Sequence, residues 1–300
     1  MLSVLIPIYN RDVNNLVKEL DKQLMEREIP YEILLCDDCS EASFRLENAA
    51  LENIDSIVYI QNEQNAGRAK VRNFLAQKAQ YPYLLFIDCD ATIFTHNYIK
   101  NYVETIKKNE KKKHFIINGG IAYRKEKPAQ EYYLRWFYGK QREEIPAEKR
   151  ELHPYHLFTP FNVVLTKSIF DLLQFDESLT TYGNEDTLLG CQFKQKNIPY
   201  YHIDNPLYHD GLDKNEDFLS KIRISIDNLF LLSKKEEHQD IINESRLLKT
   251  YSKCKKMALR PVLASIFRHF QSKIEKRLCS KPNIFLLDVY KLTYLATKES

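Results

Sequence analysis

Glycine is scarce in this chain, with seven among 300 residues and none between Ile6 and Arg11, where the first strand-like run ends. That absence excludes two nucleotide-handling classes. A sugar-phosphate nucleotidyltransferase needs a glycine-rich basic loop directly after its first strand, and a dinucleotide-dependent oxidoreductase needs G-x-G-x-x-G, which occurs nowhere here. Long hydrophobic runs are missing too. No stretch approaches the roughly 18 uninterrupted apolar residues of a membrane span, and the N-terminus begins on a strand-like segment rather than a signal peptide. The sequence therefore reads as cytosolic. A net charge of only +3 gives no reason to expect a nucleic-acid partner. The six cysteines, at 36, 39, 89, 191, 254 and 279, are too sparse for a disulfide framework. Cys36 and Cys39 form a C-x-x-C, but no second such pair or H-x-x-H completes a zinc set, so they read as small reduced hydrophobes.

What is present is a soluble composition, 44% hydrophobic and 28% charged, long enough for one large domain or two smaller ones. The first half alternates β-rich runs with amphipathic stretches, as parallel strands joined by helices do. Strands are expected over Leu2–Ile8, Tyr31–Cys36, Ser56–Gln61 and Tyr83–Ile87. Helices are expected around Leu16, Leu20 and Leu24, over Phe44–Leu51 and over Arg68–Ala79. Polar or acidic groups close these strands, and open α/β sheets bind ligands at the carboxyl ends of their strands. Farther along, Tyr98–Ile106 reads as a helix and His114–Asn118 as a strand. From Asp217 onward Phe218, Ile222, Ile226, Leu229 and Phe230 recur on one helical face.

The triplet Asp88-Cys89-Asp90 closes the apolar run Tyr83–Ile87. Two carboxylates two positions apart at a strand end can point to one side, which suits a hard divalent cation, Mn²⁺ or Mg²⁺, completed by substrate phosphates. Four further segments accompany it in order: Val4-Leu5-Ile6-Pro7-Ile8-Tyr9-Asn10, Glu32-Ile33-Leu34-Leu35-Cys36-Asp37-Asp38-Cys39-Ser40, Asn65-Ala66-Gly67-Arg68-Ala69-Lys70-Val71-Arg72-Asn73 and Tyr182-Gly183-Asn184-Glu185-Asp186. Together these segments, spread over roughly residues 1 to 210, resemble family 2 of the inverting, nucleotide-sugar-dependent glycosyltransferases. The resemblance implies a GT-A fold, a mainly parallel mixed α/β sheet flanked by helices. The expected division is a catalytic domain over 1–212 and a helical C-terminal extension over 213–300.

The resemblance also assigns roles. Asp37 is expected to accept a base imino proton, with Pro7 and Tyr9 flanking the same base. Arg68 and Arg72 open a helix where cations and free backbone N–H groups favour phosphate, and the sequence leaves open which one faces the donor. Asp90 is the expected direct metal ligand, Asp88 a contact to ribose or metal-bound water, and His209 a further metal ligand. Asp186 is the expected general base, assisted by Glu185. Phe161-Asn162 occupies a place where the family builds a donor or acceptor pocket. Cys36 and Cys39 stand where valine and glycine are more usual, and Lys70-Val71 where small residues are frequent. No carboxylate that the mechanism requires is missing.

The donor implied is a UDP-sugar and the acceptor a glycan or lipid-linked glycan. Tyr132, Tyr133, Trp136, Phe137 and Tyr138 fit either an acceptor-binding lid or a helix packing its rings into the core. The basic, amphipathic tail from about 254 to 300 suits an anionic membrane surface on the cytosolic side, a cover over the catalytic domain, or self-association. A different class, a non-catalytic GT-A subunit that binds a glycan or a second transferase, is opposed by the intact Asp88, Asp90 and Asp186.

Overall fold

The apolar spacing of the first seven residues produces a strand buried on both faces. In a computed structural model, which describes residues 1–156, 158–179, 183–235 and 240–298, Leu2, Val4, Ile6 and Ile8 enter one apolar core while Leu5 enters another. This strand, β1 (Leu2–Ile8), is followed by α1 (Asn14–Met25), β2 (Tyr31–Asp37), α2 (Ala42–Ala49), β3 (Ile57–Gln61), α3 (Arg68–Lys78) and β4 (Tyr83–Ile87). Every strand and helix expected in this stretch forms, within about two residues of its expected bounds. Less regular chain then gives β5 (Ala91–Thr92), α4 (Tyr98–Asn109), β6 (Ile116–Asn118), β7 (Ile121–Ala122), α5 (Tyr133–Arg142), α6 (Ala147–Arg150), β8 (Asn162–Thr166) and α7 (Lys167–Phe170). The chain continues through α8 (Glu185–Gln195), β9 (Tyr200–His202), β10 (Leu207–His209) and α9 (Asn215–Leu232). Four more helices follow: α10 (Asp240–Glu244), α11 (Arg246–Lys256), α12 (Arg260–Ser280) and α13 (Ile284–Leu295).

The main sheet has the order β3-β2-β1-β4-β8-β6-β9. Its first four strands are parallel, and β8 runs antiparallel to both β4 and β6. The chain adds β2 and β3 on one side of β1 and then returns to add β4 on the other. That reversal opens a crevice at the carboxyl ends of β1 and β4, where Tyr9 and the Asp88–Asp90 triplet emerge. The small sheet β5-β10-β7 brings Ala91, next to Asp90, opposite His209.

A third apolar cluster joins α9 and the later helices to Leu134 of α5 and to Leu188 and Cys191 of α8. The aromatic stretch falls largely on α5 with its rings half-buried: Leu134 is buried, Tyr138 packs on Phe218 at 5.4 Å, and Tyr133 and Trp136 stack on each other at 5.6 Å. Cys36 lies in the core behind the sheet and is a packing residue, its thiol pushed up to about 12 by burial and then by Asp38 and Asp37. Among the described residues, no helix is long and apolar enough to cross a membrane.

Candidate active site

A cleft of about 770 Å³ lies over the carboxyl ends of β1 and β4. Pro7, Tyr9, Arg68, Asp88 and Asp90 form one wall, and Arg135, Glu143, Glu185, Asp186 and Lys221 contribute from the helices opposite. Ten of the twelve residues that the sequence nominates line it; Asp37 and Asn162 do not.

The two carboxylates of the triplet have different fates. Asp88 Oδ1 accepts from Arg72 Nη2 at 2.9 Å. Burial pushes this carboxyl up, but the Arg72 guanidinium outweighs it and holds Asp88 below the usual carboxylate range. Arg72 also reaches Glu185 Oε1 through Nη1 at 3.4 Å, so one buried cation ties the end of β4 to the start of α8. Arg68 is exposed to the cleft. The arginines thus differ in place: Arg72 is buried and braces two carboxylates, while Arg68 lies at the cleft surface.

Asp90 is open where Asp88 is tied. Its Oδ1 is buried without a protein partner, and its Oδ2 lies 3.7 Å from His209 Nε2. His209 Nδ1 is likewise buried and unpartnered. The imidazole is held between Phe161 and Tyr123, with ring centroids at 5.2 and 5.6 Å and both planes inclined by 25°. The Asp210 N–H donates to the Asp90 carbonyl at 3.0 Å, which fastens the two chain segments together. Gly211 completes the seat: a Cβ there would collide with the Asp90 carboxylate, so only glycine leaves that carboxylate its room. Among the described residues no three His, Cys, Asp or Glu side chains are arranged to hold a metal by themselves. A carboxylate beside an imidazole with open buried atoms nonetheless fits a divalent cation whose other ligands are phosphate and water.

Glu185 and Asp186 occupy the first turn of α8. The turn before it is set by α9. Asn184, at φ 74°, donates through Nδ2 to the Ser225 carbonyl at 2.6 Å, and Asn228 Nδ2 donates to the Gly183 carbonyl at 3.2 Å. Tyr182 of the same motif lies outside the described residues. Asp186 Oδ1 accepts from the Thr187 N–H at 2.6 Å. Burial first, then the neighbouring Glu185 charge, raises its pKa to about 6 against the opposing pull of Arg72.

The two remaining nominees sit behind the cleft. Asp37 is the last residue of β2 and fully buried; its Oδ1 accepts from the Ser40 N–H at 2.7 Å and its Oδ2 from the Tyr59 hydroxyl at 3.1 Å. It shapes the loop beneath the cleft instead of facing it. The next residue, Asp38, does line the cleft and accepts from the Ala66 and Gly67 N–H groups at 2.7 and 2.9 Å, fixing the entry to α3. Asn162 is a buried junction: it accepts from the Tyr98 and Tyr102 hydroxyls and donates to the Gly120 and Asn205 carbonyls. Its neighbour Phe161 faces the cleft.

Sequence reasoning missed Arg135 and Glu143. Arg135 Nη2 donates to Glu143 Oε2 at 3.0 Å and approaches His209 Nε2 at 3.5 Å, while the Tyr123 hydroxyl also donates to Glu143. Burial raises the Glu143 carboxyl, but Arg135 and then His209 outweigh it and hold it low. The signal available was their shared place on or beside one helix face, eight residues apart, in a stretch already marked by its aromatics.

Residues 3–171 match the family described as Glycosyl transferase family 2. Among solved structures, S. aureus TarS 1-349 superposes with a TM-score of 0.52 at 17% identity, covering 100% of this chain and 90% of that one. The mannosyltransferase PcManGT from Pyrobaculum calidifontis, in complex with GDP-Man and Mn²⁺, gives a TM-score of 0.61 at 13% identity, covering 99% of this chain and 85% of that one. TarS 1-349 in complex with UDP-GlcNAc gives 0.51 at 18% identity, with 98% and 90% covered. No curated protein sequence matches. The family match spans more than half of the chain and agrees with the mixed, mainly parallel sheet of a GT-A fold: the chain belongs to glycosyl transferase family 2 and is a glycosyltransferase.

Proposed function

We propose that this chain is a metal-dependent inverting transferase that moves a sugar from a nucleotide-sugar donor, a UDP-sugar in the first instance, to a hydroxyl of a glycan or lipid-linked glycan in surface polysaccharide synthesis. The observation that carries the reading is the convergence of two unlike groups on one cleft: the Asp90–His209 pair with its open atoms, and the Asp186 carboxyl at the head of α8. A donor set of this kind takes Mn²⁺ or Mg²⁺. When bound, the cation supplies Lewis-acid stabilisation of the negative charge on the departing diphosphate.

The chain's own residues account for the rest. Tyr9, 54% exposed at the rim, offers a face to the base beside Pro7. Arg68 and the N-terminus of α3 favour the phosphates. Asp88, fixed by Arg72, is held for ribose or metal-bound water. Asp186 accepts the proton of the acceptor hydroxyl as its oxygen bonds to the anomeric carbon. The bond from that carbon to the diphosphate breaks on the opposite face, the electron pair leaves with the diphosphate, and the configuration inverts. Glu185, held by Arg72, keeps a second charge beside the base. Asp213 and Lys221 also line the cleft, so we extend the catalytic unit through α9, beyond the boundary expected at 212.

TarS structures with UDP and UDP-GlcNAc and the PcManGT complex with GDP-Man make the choice of base the first question. Thermal unfolding of the purified chain with UDP, GDP, dTDP and CMP, each with and without Mn²⁺, tests the reading, because a ligand that binds only the folded state raises its stability. A Mn²⁺-dependent rise with one nucleotide, lost in Asp90→Ala, is expected. No rise with any nucleotide overturns the donor assignment.

A further inference from the structure

We propose that the end of α11 and the outward face of α12 form a docking surface for an anionic lipid bilayer. This stands apart from the reaction assigned above. Between residues 253 and 281 the chain carries nine Lys and Arg side chains against one acid, whereas the remainder carries 35 against 40, so the positive charge is concentrated in this segment. The one acid, Glu275, is turned inward: its Oε1 accepts from Arg223 Nη1 and the Tyr290 hydroxyl, each at 2.6 Å. Lys253, Lys256, Lys273, Lys276 and Arg277 are exposed.

Apolar side chains share this surface. Val262, Ile266 and Phe270 recur at four-residue spacing on α12, and Lys273 and Arg277 continue the same stripe. Val262 is 57% and Phe270 48% exposed, and Met257, in the link from α11, is 68% exposed. The stripe therefore passes from apolar to basic along one helix. A bilayer surface meets both halves: apolar groups enter the boundary between headgroups and acyl chains while Lys and Arg meet lipid phosphates. Each basic side chain near such a surface tightens binding about fivefold. A second copy of the chain placed face to face would oppose two surfaces of one sign, which disfavours that occupant.

The test is co-sedimentation of the full chain with vesicles of phosphatidylcholine alone and of phosphatidylcholine with roughly 30 mol % phosphatidylglycerol, at about 0.1 M and about 0.5 M salt. Binding to the anionic vesicles only, lost at the higher salt, is expected. Lys273→Glu with Arg277→Glu should weaken it more than tenfold, and Phe270→Ser several-fold with no change of charge. Unaltered melting temperatures of the variants show that the fold is intact. Absence of sedimentation, equal sedimentation with neutral vesicles, or full binding by either variant overturns the proposal. So does a dimer in light scattering that the charge reversals disperse while vesicles are ignored.

Discussion

The two walls of the cleft are built on different principles. The wall of Pro7, Tyr9, Asp88 and Asp90 hangs from the ends of β1 and β4, whose backbone register fixes where each residue emerges. The wall of Arg135, Glu143, Asp186 and Lys221 is carried by α5, α8 and α9 and the turn after α5, and side chains hold those pieces together. They include Arg135 to Glu143 at 3.0 Å, Lys221 to Asp213 at 2.6 Å and the Asn184 and Asn228 bonds between α9 and the start of α8, while Arg142 to Asp288 at 2.6 Å ties α5 to α13. A sheet register cannot slip by a fraction of a residue, whereas side-chain pairs can be exchanged one at a time. In the reaction proposed above, the strand wall serves the donor and the helix wall the acceptor. Arg72 crosses between the two, and for that reason its loss should be felt on both.

Three substitutions, one of them read twice, sharpen this contrast, taken from the largest effect to the smallest. Asp186→Asn removes the proposed proton acceptor of the helix wall and leaves the strand wall untouched. Turnover should fall by about 10³-fold or more, toward the upper range of acid–base contributions, while the nucleotide-dependent thermal shift stays as in the wild type. Loss of that shift would show that the walls are not separable. In the wild type, log(kcat/KM) should rise with pH up to about 6, where Asp186 ionises beside Glu185 and Arg72, and level off above.

Arg72→Met leaves Asp88 and Glu185 without their shared cation. Breaking a buried pair from one side costs about 3 kcal/mol, and denaturant unfolding should show it. Donor binding and turnover should both decline, since the brace serves both walls. Gly211→Ala should act on the strand wall alone, displacing the Asp90 carboxylate and lowering activity roughly 10- to 100-fold by misplacement. Its Mn²⁺-dependent stabilisation should weaken in parallel.

The smallest effect has an unexpected sign. Asp186 binds its proton more tightly folded, at about 6, than at its ordinary value of 3.8. Between those two pH values the folded state holds more protons than the unfolded one, so stability falls as pH rises. Asp186→Asn removes that penalty. The inactive variant should be more stable than the wild type at pH 7 to 8, by on the order of 1–2 kcal/mol after discount for partial exposure. The gap should close below about pH 4. Parallel melts across pH would show it, and equal stability at neutral pH would sink the argument.

The strand wall was the more legible in the sequence, and the reason is periodicity. β1 to β4 announce themselves by buried apolar runs closed by polar residues, and the acidic triplet follows directly from β4. Asp37 and Asn162 lie behind the cleft for a related reason: the sequence does not reveal which way the side chain at a strand terminus turns. Asp37 is still inside β2 and turns back to Ser40 and Tyr59. Asn162 points away from the cleft because its neighbour Phe161 points toward it, as adjacent residues of extended chain do. β5, β7 and β10, of two or three residues each, are too short for any period. The helix wall was harder to read because Arg135 and Glu143 look like a solvated helix face until Tyr123 and His209 are brought against them. Asp186 was found there through the motif around it.

The hold of α9 on the start of α8 also sets an order in time. Residues 184 and 186 leave the ribosome some forty positions before Ser225 and Asn228, which supply their anchors. At roughly 5–20 residues per second of synthesis, a nascent chain spends seconds with its donor strands complete and its base not yet seated. The strands β1 to β4 are thus made well before Ser225 and Asn228, the residues that seat the start of α8, which come only in the last third of the chain.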